Sequence, residues 1–341
     1  MADWRIAQTT PASLINGDGS VNFGWWQKPF DVLGLDRIQV PDPMGGFRAR
    51  MTRYWRFKRW EFWCLDNEIC MVGLALVDLG YAWSVFAYVY DKASSQTHSW
   101  TERHAPWSPF GKAKLVMSEG AQQGRTYYQG PGGMVEVIHA PQGRQLRIDL
   151  PALGIQGSLW IPSIEALSLC LPTGADGWTY TCKLVGMPVL GQLTVSGKVI
   201  DPAHAWASLD MSLGLMRRET SWQWTSLMGQ VAGHVVGLNL AMGVNESGQT
   251  ENALWLDGHL YKLGSASFHP QEGGCCVQAD GVDLEFQGRS SHGEHVKVGR
   301  WVASRFKQWQ GCYRGYIQVP GGEGVPVEGI YGLWEDHYVK W

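Results

Sequence analysis

The chain alternates short apolar runs with turns rich in Gly, Pro, Asn and Asp, and long helical periodicity is nearly absent. Short runs of β-branched and aromatic residues between such turns indicate β-strands. Such runs recur at Val72–Leu76, Val85–Tyr90, Met134–His139, Gln145–Leu150, Ala166–Leu171, Leu193–Ile200, His234–Leu240, Ala253–Leu256 and Tyr313–Val319. Regular short strands with turn punctuation predict an all-β fold made of antiparallel barrels or sandwiches.

One apolar run occurs twice. Val72–Leu76 reads Val-Gly-Leu-Ala-Leu, and Val236–Leu240 reads Val-Gly-Leu-Asn-Leu, about half a chain length later. Clustered Trp residues precede each copy, and an internal repeat of this kind suggests duplication, although chance similarity of a short apolar run is the alternative. The repeat predicts two tandem barrels. Their predicted bounds are an N-terminal lead-in at 1–50, a first barrel at 51–186 and a second barrel at 187–341.

The second copy opens a hairpin signal that extends from Gly237 to Gly258. Two apolar runs flank the polar turn Asn245-Glu246-Ser247-Gly248. Asn239 interrupts the first run, and Glu251 and Asn252 stand just before the second. Polar groups among apolar strand residues are costly unless they are paired, so they are either satisfied structurally or face a cavity.

Strand parity suggests what these residues do. If the hairpin loop keeps even parity, residues 239, 251 and 253 share one face, and a carboxylate and a carboxamide converge. Glu251 and Asn239 would then hold a substrate oxygen or an attacking water, with Asn252 beside them. The alternative is that Glu251 and Asn252 cap the hairpin by bonding backbone amides. The first copy has Ala75 in the place of Asn239, so the site is predicted in the second barrel.

Asp210 is the first candidate acid. It stands between Leu209 and Met211 in a strand-like run, where burial is expected. Burial raises the pKa of a carboxyl group, and a protonated acid can donate a proton to an alkene, an ether or a carbonyl. The alternative is an Asp that satisfies a β-bulge or a turn.

Trp222, Trp224 and Trp255 are the candidate walls of the same cavity. Indole faces stabilise a carbocation by cation–π attraction, by about 2 kcal/mol when the pair is desolvated. The alternative is ordinary packing of Trp in a wide barrel core, since the chain holds 19 Trp in all.

Composition narrows the function classes. The chain is 45% hydrophobic and 17% charged, as in a folded globular protein, and its net charge of −3 with no basic run disfavours nucleic acid as a partner.

His292 and His295 have metal-ligand spacing but no evident third ligand, so no metal is expected. Walker A, G-x-G-x-x-G, G-x-S-x-G and H-E-x-x-H motifs are absent from the sequence, so no nucleotide or other organic cofactor is expected.

The cysteines and the apolar stretches bear on location. Seven Cys without a C-x-x-C motif disfavour a disulfide framework, and the first residues show no signal peptide, so a cytoplasmic protein with reduced thiols is expected. Residues 69–90 are apolar enough to suggest a membrane span. Asp78 and Gly80 in their middle, among Val, Tyr and Trp, instead indicate a buried β-hairpin.

Several blocks together carry a family resemblance over about Tyr54–Trp341. They are Arg59–Trp63, Asp78–Tyr81, Val85–Asp91, Ile161–Leu167, Tyr180–Lys183, Leu209-Asp210, Trp222–Trp224, Gly237–Gly258 and Gly332–His337, with Thr250–Gly258 the most specific. In these blocks the chain resembles domain-of-unknown-function family 2804. That family is distantly related to carotenoid 1,2-hydratase (hydroxyneurosporene synthase) and similar in architecture to tocopherol cyclase.

The resemblance implies a pair of lipocalin-like β-barrels that act on hydrophobic substrates without an organic cofactor. It also implies a functional acid just before the Trp pair, a place that Asp210 matches. Many members carry Gly-Arg-Gly after the acid, whereas this chain has Ser212-Leu213-Gly214, so the role of that Arg is not carried over. The expected function is a hydratase, dehydratase or cyclase for an isoprenoid, polyketide-like or lipid substrate. A non-catalytic lipid carrier and, more remotely, a glycan-binding protein are the alternatives.

Overall fold

The computed structural model describes residues 6–42, 44–105, 113–174, 176–244, 246–318 and 324–341. Asn245 of the predicted hairpin turn lies outside these residues. Within them the only α-helix is α1 (Arg50–Arg56), and the other helical segments are three single 3₁₀ turns, at Leu35–Arg37, Pro151–Leu153 and Pro202–His204. Antiparallel strands make up nearly all the rest, which confirms the predicted all-β class.

The first half of the chain forms two sheets. The eight strands of the first sheet are, in spatial order, β1 (Gly24–Trp26), β11 (Leu167–Pro172), β12 (Trp178–Pro188), β15 (Ala205–Leu215), β2 (Phe57–Asn67), β3 (Cys70–Asp78), β4 (Trp83–Asp91) and β5 (Gln96–His104). The seven strands of the second sheet are, in spatial order, β14 (Lys198–Ile200), β13 (Leu190–Val195), β10 (Ile155–Pro162), β9 (Gly143–Leu150), β8 (Gly133–Ala140), β7 (Gly124–Gly130) and β6 (Lys114–Val116).

These two sheets enclose one hydrophobic core. Because side chains alternate along a strand, one face of each sheet turns inward, and the inward side chains are large and fully buried. Trp63 and Leu209 from the first sheet pack in the same cluster as Tyr128, Val137 and Leu146 from the second. The result is the first of the two predicted barrels.

The second half forms one curled sheet of nine strands. In spatial order they are β19 (His259–Lys262), β18 (Ala253–Leu256), β17 (His234–Met242), β16 (Glu219–Val231), β24 (Gly324–Lys340), β23 (Val302–Gln318), β22 (Val282–Val298), β21 (Gly274–Ala279) and β20 (Ser267–Gln271). The sheet wraps around its own core, which includes Leu238, Phe286 and Tyr313. This second barrel completes the predicted tandem.

Strand pairing divides the halves at a different place from the predicted bound. Residue 187 falls inside β12, and β13, β14 and β15 all pair with strands of the first half. Consecutive strands of the nine-stranded sheet begin only at Glu219. The two Gly residues that suggested a linker lie in strands instead: Gly186 is at a β-bulge between Val185 and Met187, and Gly191 is in β13, paired with Leu159.

The repeated run takes equivalent positions in the two halves. Val72–Leu76 lies in β3 and Val236–Leu240 in β17, and each strand forms a hairpin with the Trp-bearing strand before it, β2 and β16. Gly237 shows why one position of the run is Gly. A Cβ placed there would stand 2.3 Å from the Val185 carbonyl oxygen of the other half, so a side chain would force the two halves apart.

The apolar stretch at residues 69–90 is the antiparallel hairpin β3–β4, as predicted. No helix among the described residues is long and apolar enough to span a membrane. All seven Cys are free thiols, and five of them are buried.

Candidate functional site

The candidate site lies where the two halves meet. The outer face of the first sheet and the outer face of the nine-stranded sheet share a buried apolar cluster that belongs to neither barrel core. Phe62 and Ala75 come from the first sheet, and Trp224, Trp255 and Leu333 come from the nine-stranded sheet. The polar residues that the sequence singled out stand around this cluster. Asp210 is on β15, so the first half contributes directly to the site that was predicted in the second barrel alone.

A lysine joins the two predicted acids. Lys183 Nζ lies 2.5 Å from Asp210 Oδ2 and 3.5 Å from Glu251 Oε1. Lys183 and Asp210 are direct partners across the β12–β15 pair, so strand register fixes their contact. Glu251 reaches them from the second half, in the segment just before β18. The three charges therefore form an ionic cluster that spans the two halves.

The cluster holds one positive and two negative charges away from bulk water. Burial raises the pKa of the Asp210 carboxyl, Lys183 lowers it and the charge of Glu251 raises it again, with a net rise. Burial alone would lower the pKa of Lys183, but Asp210 and Glu251 outweigh that effect and raise it. Lys183 is thus held as an ammonium ion, and Asp210 takes up a proton more readily than an ordinary Asp.

One oxygen of Asp210 is left for a further contact. Asp210 Oδ2 is bonded to Lys183, whereas Oδ1 is buried and has no hydrogen-bond partner among the residues that the structure describes. Buried polar atoms are nearly always hydrogen-bonded, so such an atom calls for an explanation. The Asp210 side chain is 16% exposed, so it keeps a narrow opening to solvent.

Beside the ionic cluster, the Asn239 side chain links Trp224 to the backbone of Glu251 by two hydrogen bonds. Trp224 Nε1 donates to Asn239 Oδ1 at 2.7 Å, and Asn239 Nδ2 donates to the Glu251 backbone oxygen at 2.7 Å. Asn239 pairs with Ala253 across the β17–β18 ladder, which confirms that residues 239 and 253 share a face. Asn239 therefore meets the backbone of Glu251, while the carboxylate of Glu251 points to Lys183.

The side chains of Asn252 and Trp255 both form hydrogen bonds with backbone groups. Asn252 Oδ1 accepts from the Ala241 amide at 2.7 Å and its Nδ2 donates to the Gly264 oxygen at 2.8 Å. This is the capping arrangement that the sequence left open as an alternative. Trp255 Nε1 donates to the Glu165 oxygen at 2.7 Å, and its ring is buried in the shared apolar cluster.

Trp222 belongs to a second polar group in the same interface. Its Nε1 donates to Glu335 Oε1 at 2.9 Å, and Gln308 Nε2 donates to Glu335 Oε2 at 2.8 Å. Tyr88, on the first sheet, donates to Gln308 Oε1 at 2.6 Å. His337 lies beside Trp222, with ring centroids 4.2 Å apart. The chain of bonds thus passes from one half to the other.

Aromatic pairs also connect the halves. Trp60 stacks parallel to Trp222 at 6.3 Å between centroids, and Phe62 meets Trp224 edge-on at 6.0 Å. Lys183 Nζ lies 6.0 Å from the centroid of the Trp224 ring, so that ring already faces a cation. The Trp pair of the sequence is therefore placed between the sheets, with both rings available to one wall of the site.

Sequence reasoning missed Lys183, Glu335, Gln308 and Tyr88. Lys183 was within reach, because a lysine between Cys182 and Leu184 in an apolar strand is as costly as the Asp that was noticed. Glu335 also had a signal, since it lies in the family block Gly332–His337. Tyr88 had the same kind of signal, since it lies in the family block Val85–Asp91. Gln308 gave none, because its partner Tyr88 comes from a strand far away in the sequence.

Neither a metal-binding cluster nor a described cavity lies at this site. Among the described residues, no group of three or more His, Cys, Asp or Glu is arranged to hold a metal ion. A cavity of about 330 Å³ lies instead at the loops of the first barrel, lined by Phe30, Asp31, Val32, Leu33, Met117, Ser118, Glu119, Gly120, Gln123, Gly124 and Arg125.

The sequence profile of the family described as Domain of unknown function (DUF2804) matches residues 5–341. The chain belongs to the DUF2804 family. The predicted membership is thereby confirmed over nearly the whole chain. Comparison of the DUF2804 chain with curated proteins gives no significant match.

Solved structures share the fold of the DUF2804 chain. It is similar to kievitone hydratase from Nectria haematococca, with 12% identity and a TM-score of 0.51 over 82% of this chain and 88% of that one. It is also similar to CghA solved with Sch210972, with 12% identity and a TM-score of 0.48 over 83% of this chain and 88% of that one. At such low identity the likeness to kievitone hydratase speaks for the architecture alone, in agreement with the predicted lipocalin-like tandem.

Proposed function

We propose that this protein is a cofactor-independent hydratase, dehydratase or cyclase that protonates a hydrophobic substrate between its two halves. The observation that carries the proposal is the Asp210 carboxyl. One of its oxygens is fixed by Lys183, and the other is buried without a protein partner. An acid with one oriented and one open oxygen, beside aromatic rings, is suited to deliver a proton to a carbon–carbon double bond or to a departing hydroxyl.

The charge of the cluster favours a proton on Asp210. Lys183 neutralises only one of the two carboxylates, and Glu335 lies near enough to raise the pKa of Asp210 further. A buried group with net negative charge binds a proton to reduce its desolvation cost. In this proposal Asp210 is the acid that takes up and delivers the proton, and Glu251 is the second partner of Lys183.

The reaction needs no oxidant, reductant or cofactor. In the hydration direction, the Asp210 proton forms a new C–H bond on an alkene carbon and leaves a carbocation on its neighbour. A water oxygen attacks that carbon, and the proton that it releases restores the acid. In a cyclisation, a second double bond attacks the cation instead, and a carboxylate removes the final proton.

The surrounding side chains would stabilise and shape the intermediate. Trp222 and Trp224 supply indole faces, worth about 2 kcal/mol each toward a desolvated cation. Asn239 holds the Trp224 indole by a hydrogen bond and so orients the ring. Asn252 and Trp255 support the segment that carries Glu251, and we assign them to positioning. The apolar cluster of the interface is the reason for proposing an isoprenoid, polyketide-like or lipid substrate.

The test begins with the substrate. Small molecules that remain bound to the purified protein are extracted and identified by native mass spectrometry, and their unsaturated or hydroxylated relatives are incubated with the protein in D₂O. We expect deuterium to enter a C–H bond of the product. Asp210→Asn should abolish that incorporation while the protein still binds the molecule, and Glu251→Gln should slow it.

Ser208 provides a matched control. It lies two residues from Asp210 on the same face of β15, so Ser208→Ala changes the interface without removing an acid. It should keep deuterium incorporation within a few-fold of the wild type. Unchanged turnover in both Asp210→Asn and Glu251→Gln would rule out this assignment.

A lipid carrier is the second candidate, favoured by the cavity beside the first barrel. That cavity has apolar walls from Phe30, Val32, Leu33 and Met117 and lies apart from Asp210. A carrier would retain its ligand without chemical change in D₂O, and Asp210→Asn would leave both retention and ligand unaffected. Substitution of Leu33 by Trp should then remove the ligand, because it fills the cavity.

A further inference from the structure

A basic and aromatic surface covers one end of the molecule. The sequence has no continuous basic run, yet residues 48–59 include six Arg or Lys and no Asp or Glu, in a chain whose net charge is −3. These residues form helix α1 and the start of β2. With the turn before them and two segments of the second half, they make what we call the basic–aromatic surface, defined by Phe47, Arg48, Arg53, Trp55, Arg218 and Trp301.

The parts of this surface are continuous. Asp176 bridges Arg48 and Arg56, at 3.7 and 2.5 Å, and so joins the turn to the helix. Trp55 stacks on Tyr81 at 5.5 Å between centroids. Burial raises the pKa of Tyr81, and the nearby charge of Arg218 offsets part of that rise.

Arg218 connects the surface to the second half. Its guanidinium lies 5.6 Å from the centroid of the Trp301 ring and donates to the Trp301 oxygen at 3.2 Å. The surface therefore includes segments from three separate parts of the chain, which the fold brings to one end.

Large apolar side chains stand out from this surface. Trp301 is 73% exposed, Phe47 64% and Trp55 56%. Single exposed apolar residues are ordinary, but a group of them on three loop or helix tips, interleaved with arginines, indicates a binding surface. An exposed Trp beside an Arg suits the interfacial region of a bilayer. There the indole ring enters the headgroup layer, and the guanidinium group binds lipid phosphate.

We propose that the basic–aromatic surface binds the surface of a membrane that contains anionic lipids. Charge complementarity selects the lipid. The nearby acids Asp42, Asp78 and Asp176 are each paired with an arginine, and residues 48–59 contain six Arg or Lys against these three acids. The exposed tips select a bilayer over an acidic protein, because they offer apolar insertion at several points. The inference does not rest on the proposed function.

The surface also lies next to the interface between the halves. Trp341 stands 6.2 Å from Trp60, the ring that stacks on Trp222, and Trp341 Nε1 donates to the Arg217 oxygen at 2.8 Å. A molecule that leaves the bilayer at this surface would meet the aromatic edge of the interface first. Docking here would place the candidate site within reach of membrane-dissolved compounds.

Sedimentation with vesicles tests the proposal. The full chain is mixed with vesicles of phosphatidylcholine and phosphatidylglycerol, and with vesicles of phosphatidylcholine alone. We expect binding to the mixed vesicles, weakened by added salt because screening shortens the reach of exposed charges. Removal of one surface arginine should weaken partition about fivefold, the equivalent of its attraction to an anionic surface. Arg53→Gln combined with Trp301→Ser should weaken it more than either change alone.

The matched control removes one charge and one apolar side chain elsewhere. Lys198 and Val199 are both exposed on β14, and Lys198→Gln with Val199→Ser should leave vesicle binding unchanged. Urea unfolding and circular dichroism show whether each variant folds. Absence of binding to the anionic vesicles by the wild type, or equal loss in both double variants, would overturn the proposal. Retention on DNA or heparin without vesicle binding would also overturn it and indicate an acidic macromolecule.

Discussion

At the scale of single residues, Lys183 decides the electrostatics of the site. It contacts both predicted acids, and it is almost fully buried. A buried ionic cluster adds little net stability by itself, but the loss of one partner leaves uncompensated charge. Asp210 and Glu251 would then face each other across the interface with no cation between them.

Lys183→Met should lower the free energy of unfolding by about 3–5 kcal/mol at neutral pH, because it leaves buried carboxylates unpaired. Urea denaturation followed by Trp fluorescence measures the change. Burial and the charge of Glu251 raise the pKa of Asp210, so protonation of Asp210 relieves the repulsion as the pH falls, and the difference from the wild type should shrink from pH 7 toward pH 5. Adding Asp210→Asn to Lys183→Met should recover part of the loss. A pH-independent difference would contradict this account.

At the scale of elements, the segment from Thr250 to Lys262 holds Glu251 in place through a second lysine. Lys262 Nζ donates to Thr250 Oγ1 at 2.7 Å, to the Leu263 oxygen at 3.0 Å and to the Asn252 oxygen at 3.2 Å. Burial lowers the pKa of Lys262 to about 7, and the charge of Glu251 offsets only part of that fall. The hairpin therefore carries a buried amine that titrates near neutral pH.

The pH dependence of the unfolding free energy follows from the difference between the pKa of Lys262 in the folded chain and in the unfolded chain. Between about pH 7 and its ordinary pKa of 10.5, the unfolded chain holds a proton on Lys262 that the folded chain has lost, so stability rises with pH. Each such lysine contributes up to about 1.4 kcal/mol per pH unit. Lys262→Met should reduce the slope of unfolding free energy between pH 7.5 and 8.5 by about that amount.

The control for this slope is an exposed lysine. Lys198→Met should leave the pH dependence as it is in the wild type. Lys58, whose pKa burial also lowers to about 7, should behave like Lys262 when replaced by Met. An unchanged slope in Lys262→Met would mean that this lysine keeps its proton in the folded protein.

At the scale of the whole molecule, the two barrels are joined by polar and aromatic contacts on their outer faces. Tyr88, Gln308, Glu335 and Trp222 form one bonded chain that crosses the interface. Both Tyr88 and Gln308 are fully buried, so the bond between them is made without competition from water. The relative placement of Asp210 and Glu251 depends on contacts of this kind, because the two acids belong to different halves.

Tyr88→Phe should cost about 1–3 kcal/mol of stability, since it leaves the Gln308 oxygen buried and unpaired. Hydrogen exchange should also rise in β23 around Gln308, on the other side of the interface. Tyr128→Phe is the matched control, because Tyr128 is equally buried but bonds Glu102 within the first half. Its loss should reduce stability without faster exchange at Gln308. Equal exchange at Gln308 in the two variants would refute the role given to Tyr88.

Local sequence was sufficient for the class of fold and pointed to some of the residues of the candidate site. Period-two apolar runs with Gly turns fix strands and their inward faces, because side chains alternate strictly along a strand. That rule found the hairpin β3–β4, the repeated strands β3 and β17, and the shared face of Asn239 and Ala253. The cost of polar groups in apolar strands pointed to Asp210.

Tertiary structure alone decided how those residues are grouped. Asp210 meets Glu251 only through Lys183, and the pairing of β15 with β2 places Asp210 in the first half, against the predicted division at residue 187. Trp222 meets Glu335 from a strand more than a hundred positions away, and Tyr88 meets Gln308 from the other barrel. Pairing and packing between distant strands depend on how well whole sheet faces fit each other. The pattern of a single strand specifies which of its sides is apolar, but not which partner strand or sheet will cover that side.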